Sequence, residues 1–144
     1  MTTTVQLAVA CFALVLLTFA VGVRLLYVRT MEMRAKRIHP QAASTSIQMA
    51  AKLQNVQAAD NFRNLFETPV LFYSLAAVAI ASDYAPAWLA VGAWLYVVLR
   101  AAHSFIHCTY NRVMHRFAAF GSGFLLLVGL WVAFIVGLVS KSAA

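Results

Sequence analysis

Two groups of ionisable residues stand out in a chain that carries few charges. Asp60, Arg63, Asn64 and Glu67 precede an apolar run, and positions 60, 64, 67 and 71 share one helical face. Arg100, His103 and His107 form a second helical stripe, and Tyr110, Arg112, His115 and Arg116 continue beyond it. Charge at mid-membrane costs at least ~2.5 kcal/mol per group on insertion scales. Two such stripes are therefore expected to face one another, with Glu67 paired to Arg100 or Arg63 to avoid an isolated charge in low dielectric. Any one of these residues is as readily a lock between helices or a snorkelling side chain. Asn64, Glu67 and Arg100 together are more polarity than a lock requires, and they read as a site. His103 and His107 stand at the i, i+4 spacing of a chelating pair. A third ligand at convincing spacing is lacking, so no metal is assigned. Cys108 reads as a small packed apolar group.

The elements that position these residues follow from composition. Of 144 residues, 63% are hydrophobic and 10% charged, with mean hydropathy +0.81. A soluble domain is nearer half apolar and a quarter charged. A globule of this length cannot bury so much apolar surface, which excludes a cytosolic enzyme, a secreted disulfide scaffold and a disordered tail. The reading is an all-α integral membrane protein. The net charge of +7 is too segregated for a nucleic-acid surface and is better explained by the positive-inside rule. Cys11 and Cys108 fall at opposite sides of the membrane and make no disulfide framework.

A spanning helix needs about 20 apolar residues. The pattern predicts four, over about residues 5–30, 46–82, 86–108 and 114–139, as one domain covering 1–144. The run from Val5 to Val23 exceeds the core of a signal peptide and reads as the first span. His39-Pro40 ends that helix, and Thr45 with Gln48 has the spacing of a capping box. Three turns or so of the second helix should project into water. Pro69 would bend it and free a carbonyl. Asp83 to Pro86 makes a turn, and Gly121, Gly123, Gly129 and Gly137 allow close helix packing. Nine of the eleven Lys and Arg residues lie in or beside the first and third connections. Both termini are therefore expected on the non-cytoplasmic side, in a bacterial inner membrane.

Asn64-Leu-Phe-Glu67-Thr-Pro69, followed by its apolar run, resembles the second-helix signature of the MAPEG family, the membrane-associated proteins of eicosanoid and glutathione metabolism. Arg100-Ala-Ala-His103 and the later Arg116 resemble the family's second signature, and the likeness in length, four spans and basic first connection covers nearly the whole chain. The resemblance implies a homotrimer of four-helix protomers with glutathione bound between subunits near the cytoplasmic surface. It implies that Asn64 and Glu67, with Arg63 beside them, hold the polar ends of glutathione, that Arg34 reaches its carboxylates, and that Arg100, His103 and His107 occupy the helix-three positions. Arg116 would stabilise the thiolate for attack on a lipophilic electrophile or reduction of a hydroperoxide. Three residues depart from the family pattern: Asp60 stands where members carry arginine, His107 where many carry tyrosine, and Phe117 where some carry a hydroxyl.

Two classes of function follow. One is a glutathione-dependent transferase or peroxidase acting on a lipophilic small molecule from the bilayer. The other is a non-catalytic protein of the same fold that binds a lipid or a partner protein, a reading that Asp60 favours. Transport is disfavoured because the chain has no inverted repeat and no continuous polar path.

Overall fold

Backbone polar groups in hydrocarbon must find their partners within the chain, which restricts a spanning segment to a helix or a closed barrel. The computed structural model, which describes residues 1–143, obeys this with helices alone. They are α1 (Thr3–Ala35), α2 (Ser46–Lys52), α3 (Gln57–Asn64), α4 (Thr68–Ala81), α5 (Ala87–Cys108) and α6 (Val113–Ser142). Four segments are long and apolar enough to cross a membrane: α1, α3 with α4, α5, and α6. The side chain of Thr2 caps α1 by accepting the Val5 N–H at 3.3 Å. At 1.5 Å per residue α1 is about 50 Å long, well beyond the ~30 Å hydrocarbon core. Its last turns therefore extend past the apolar run.

The expected second helix, 46–82, is broken twice. The capping box at its start forms as expected: Thr45 accepts the Gln48 N–H at 3.2 Å, and the Gln48 side chain accepts the Thr45 N–H at 3.3 Å. The helix then stops at Lys52, and Leu53 is extended (φ −102°, ψ 138°). The cause lies on α1. The Glu32 carboxylate accepts the Gln54 N–H at 2.7 Å and the Asn55 N–H at 3.1 Å, which draws this stretch out of helical register. The Lys36 ammonium meets the same carboxylate at 2.6 Å. The second break, Leu65 to Glu67, precedes Pro69. A proline there cannot donate to the carbonyl four residues earlier, but it is well placed in the first turn of a new helix. The expected bend is thus a full interruption.

The core lies toward the end of the bundle away from the polar stripes. Leu7, Ala10 and Leu14 of α1 meet Phe72, Leu75, Ala76 and Ala79 of α4, Leu89, Ala93 and Tyr96 of α5, and Leu127, Leu130 and Phe134 of α6. Phe72 and Tyr96 stack with centroids 5.0 Å apart. Close approach depends on small residues. A Cβ at Gly123 would stand 3.7 Å from Leu99, and one at Gly137 would collide with the Tyr84 hydroxyl. Gly121 and Gly129 face open space, so the packing expected there does not occur within the chain. Phe12, Leu16, Phe19, Val23, Leu125 and Val136 turn outward, as side chains facing lipid do.

Candidate functional site

The polar stripes converge at one end of the bundle, where α3 ends, α4 begins, α5 ends and α6 begins. Between them lies a cleft of about 450 Å³ lined by Asp60, Arg63, Asn64, Glu67, His103, His107, Val113, Arg116, Phe117 and Phe120. That volume is within the roughly 300–1,000 Å³ span of small-molecule sites.

Arg116 lies in the first turn of α6. Its Nη1 donates to His107 Nε2 at 3.0 Å and to Asn111 Oδ1 at 2.9 Å. A guanidinium only donates, so His107 Nε2 is the acceptor and its proton sits on Nδ1. The carbonyl of Arg116 faces His103 Nδ1 at 3.2 Å. A carbonyl only accepts, so His103 carries its proton on Nδ1. Both imidazoles of the would-be chelating pair are thus turned toward Arg116. The other ring nitrogens, His103 Nε2 and His107 Nδ1, are buried without a protein partner. Asn111 owes its place to a left-handed backbone (φ 46°), which asparagine tolerates better than most residues.

Arg100 corrects the expected ion pair. Among the described residues the one salt bridge is Lys36–Glu32. Glu67 is exposed on the cleft, and neither Arg100 nor Arg63 pairs with it. Arg100 is 1% exposed. It donates through Nη2 to the carbonyl of Asn64 at 3.0 Å and lies 5.3 Å from the Phe120 ring centroid. The break before Pro69 explains the choice. It ends α3 at Asn64, leaving a helix terminus whose partial negative charge attracts a cation.

Six of the expected site residues therefore line one cleft: Arg63, Asn64, Glu67, His103, His107 and Arg116. Arg100 stands behind them as the clamp on the Asn64 turn. Arg34 does not join them; it is exposed at the end of α1, outside the cleft of its own chain. Asp60, the departure from the family pattern, also lines the cleft.

Sequence reading missed three contributors. Asn61 is fully buried, donates to Cys108 Sγ at 3.3 Å and accepts the Ser104 hydroxyl at 3.3 Å, which joins α3 to α5. The spacing of three between Asn61 and Asn64 was the available signal. Arg24 of α1 donates to the Cys108 carbonyl at the end of α5. Asn111, inside a stretch recognised only as polar, fixes the Arg116 guanidinium. Chemically the cleft offers two cations, two carboxylates and an amide, a set suited to a ligand carrying both signs of charge.

The family model for MAPEG matches residues 7–136. No curated protein and no solved structure gives a match.

Proposed function

The chain belongs to the MAPEG family, and on that premise we propose that it is a membrane-bound glutathione-dependent transferase or peroxidase acting on a lipophilic electrophile or hydroperoxide. The observation that carries the reading is the convergence of Arg63, Asn64 and Glu67 with Arg116 on one cleft. Glutathione has two carboxylates, one ammonium and a thiol. Glu67, unpaired and exposed, suits the ammonium by Coulomb attraction. Arg63 and the Asn64 amide suit a carboxylate and the peptide. The bound tripeptide supplies the thiol nucleophile. Arg116, held by His107 and Asn111, lies where a cation favours the thiolate at neutral pH. Phe117 and Phe120 offer an apolar wall to the lipophilic partner.

The assembly belongs to the same proposal. Three copies would place Arg34 of one chain beside the cleft of the next, which accounts for its exposure at the end of α1. Both termini would lie on the non-cytoplasmic side and the cleft at the cytoplasmic surface of a bacterial inner membrane, as the basic connections favour.

The test is equilibrium binding of glutathione to the purified protein, read by thiolate absorbance near neutral pH. Saturable binding with thiolate formation, both lost in Arg116→Ala while the assembly stays intact, is the expected result. Unchanged thiolate formation in Arg116→Ala would refute the role of Arg116. Asp60 favours a second reading, since a carboxylate on the cleft wall opposes an anionic ligand. On this reading the protein is non-catalytic and holds a lipid or a partner protein. Absence of glutathione binding at millimolar concentration would decide for it.

A further inference from the structure

The charges on the cleft wall do not match glutathione one for one. Asp60, Arg63 and Glu67 recur at three and four residues along α3 and the turn after it, and α6 adds Arg116. Asp60, Arg63 and Glu67 are exposed, and among the described residues their side chains make no hydrogen bond or ion pair. Arg29 faces Asp60 across a smaller hollow and makes no ion pair with it. The imidazoles add no charge. His107 Nε2 accepts from Arg116, and an imidazolium at His103 would bury a second N–H, on Nε2, without an acceptor. Two cations therefore stand against two carboxylates.

The thiolate form of glutathione has three anionic groups and one ammonium. With Arg34 of the next chain, three arginines meet the three anions and Glu67 meets the ammonium. Asp60 is left over, and its place tells which part of the ligand it faces. The chain from Arg63 to Glu67 continues in tight turns, with the Phe66 N–H on the Arg63 carbonyl at 2.9 Å and the Glu67 N–H on the Asn64 carbonyl at 3.4 Å. From Asp60 to Glu67 is thus about two helical turns, roughly 10 Å. A tripeptide spans a similar distance at about 3.3–3.6 Å per residue. With the ammonium of the γ-glutamyl end at Glu67, Asp60 meets the glycine end.

We propose that Asp60 makes the cleft selective for a γ-glutamyl-cysteinyl thiol whose C-terminal group is an uncharged donor, a carboxamide, in place of the glycine carboxylate. This selectivity rests on the glutathione-type reading of the cleft and alters only the far end of the ligand. A carboxamide N–H donates to the Asp60 carboxylate in a charge-assisted hydrogen bond, where a second carboxylate is repelled. The balance then closes: three arginines against two carboxylates meet a thiolate and one carboxylate against one ammonium. Glutathione itself still binds, more weakly.

Calorimetric titration of the purified full-length assembly with glutathione and, separately, with its glycine amide tests this. The amide should bind about tenfold tighter, which corresponds to ~1.4 kcal/mol. That advantage should shrink in ~1 M salt, where charges are screened beyond about 3 Å. Asp60→Asn should bring the two affinities together, and Asp60→Arg should favour glutathione. Equal affinities in the parent, tighter binding of glutathione, or a preference unchanged in Asp60→Asn would overturn the proposal and leave the glutathione-type reading standing. Binding of neither thiol would overturn both.

Discussion

Replacing Arg100 by methionine separates a clamp from a buried ion pair. The guanidinium is buried, donates one hydrogen bond to the Asn64 carbonyl and lies over Phe120. A hydrogen bond from a charged donor contributes about 1.5–3 kcal/mol. The cation–π contact adds roughly 0.5–1 kcal/mol, and the position at the end of α3 adds roughly 0.3–1 kcal/mol. Against these stands the cost of burying an ion, several kcal/mol even after relaxation. The two sides nearly cancel. Arg100→Met should therefore change stability by less than about 2 kcal/mol, where breaking a true buried pair costs about 3–5 kcal/mol. The released turn should loosen Asn64 and Glu67 and weaken glutathione binding by about tenfold, which corresponds to ~1.4 kcal/mol. Tryptophan fluorescence melts in detergent and calorimetric titration with glutathione measure the two quantities. Stability and binding should separate. A collapse of the fold, or unchanged binding, refutes the clamp. Glu67→Gln completes the test: combined with Arg100→Met, stability effects should add within about 0.5 kcal/mol, as for residues without a shared pair. Strong non-additivity would restore the ion pair that the geometry denies.

Three further changes probe the supports of the site. Asn61→Ala should cost about 1–3 kcal/mol by orphaning the Ser104 hydroxyl, and adding Ser104→Ala should recover part of that loss in thermal melts. Glu32→Ala frees the Gln54 and Asn55 N–H groups, so trypsin should cut after Lys52 several-fold faster than in the parent. Equal cutting rates would show that Glu32 does not hold that turn. At Gly92 a Cβ would collide with the Leu130 side chain, so Gly92→Val should destabilise the α5–α6 contact by about 1–3 kcal/mol. A melt unchanged from the parent would mean that Leu130 swings clear.

Much of the fold was legible because its signals are local. Long apolar runs, the Thr45–Gln48 capping box and the turn near Pro86 each depend on neighbours in the chain, and each appears where the pattern put it. The polar residues of the cleft were legible for a related reason. Polar and ionisable groups are expensive in hydrocarbon, so Asn64, Glu67 and His103, with Arg100 behind them, announced themselves by being there at all. Their helical spacing placed them on faces, and the family signatures named them.

The partners were another matter. Spacing put Glu67 and Arg100 on facing stripes but carried no information about which acceptor a guanidinium would take. That depended on α3 ending at Asn64, which exposed a carbonyl beside Arg100. The interruption at Leu53 depended in turn on Glu32, more than twenty residues earlier, reaching the N–H groups of Gln54 and Asn55. Asn61 looked like one more polar residue until α5 brought Ser104 and Cys108 against it. By itself, then, the sequence determined the solvent, the number of spans and the end of the bundle that holds the polar residues, because hydropathy and helical period act over one or two turns. Only the tertiary structure decided which buried polar groups satisfy one another, because that is settled by which helix ends and side chains come within hydrogen-bond reach across the bundle.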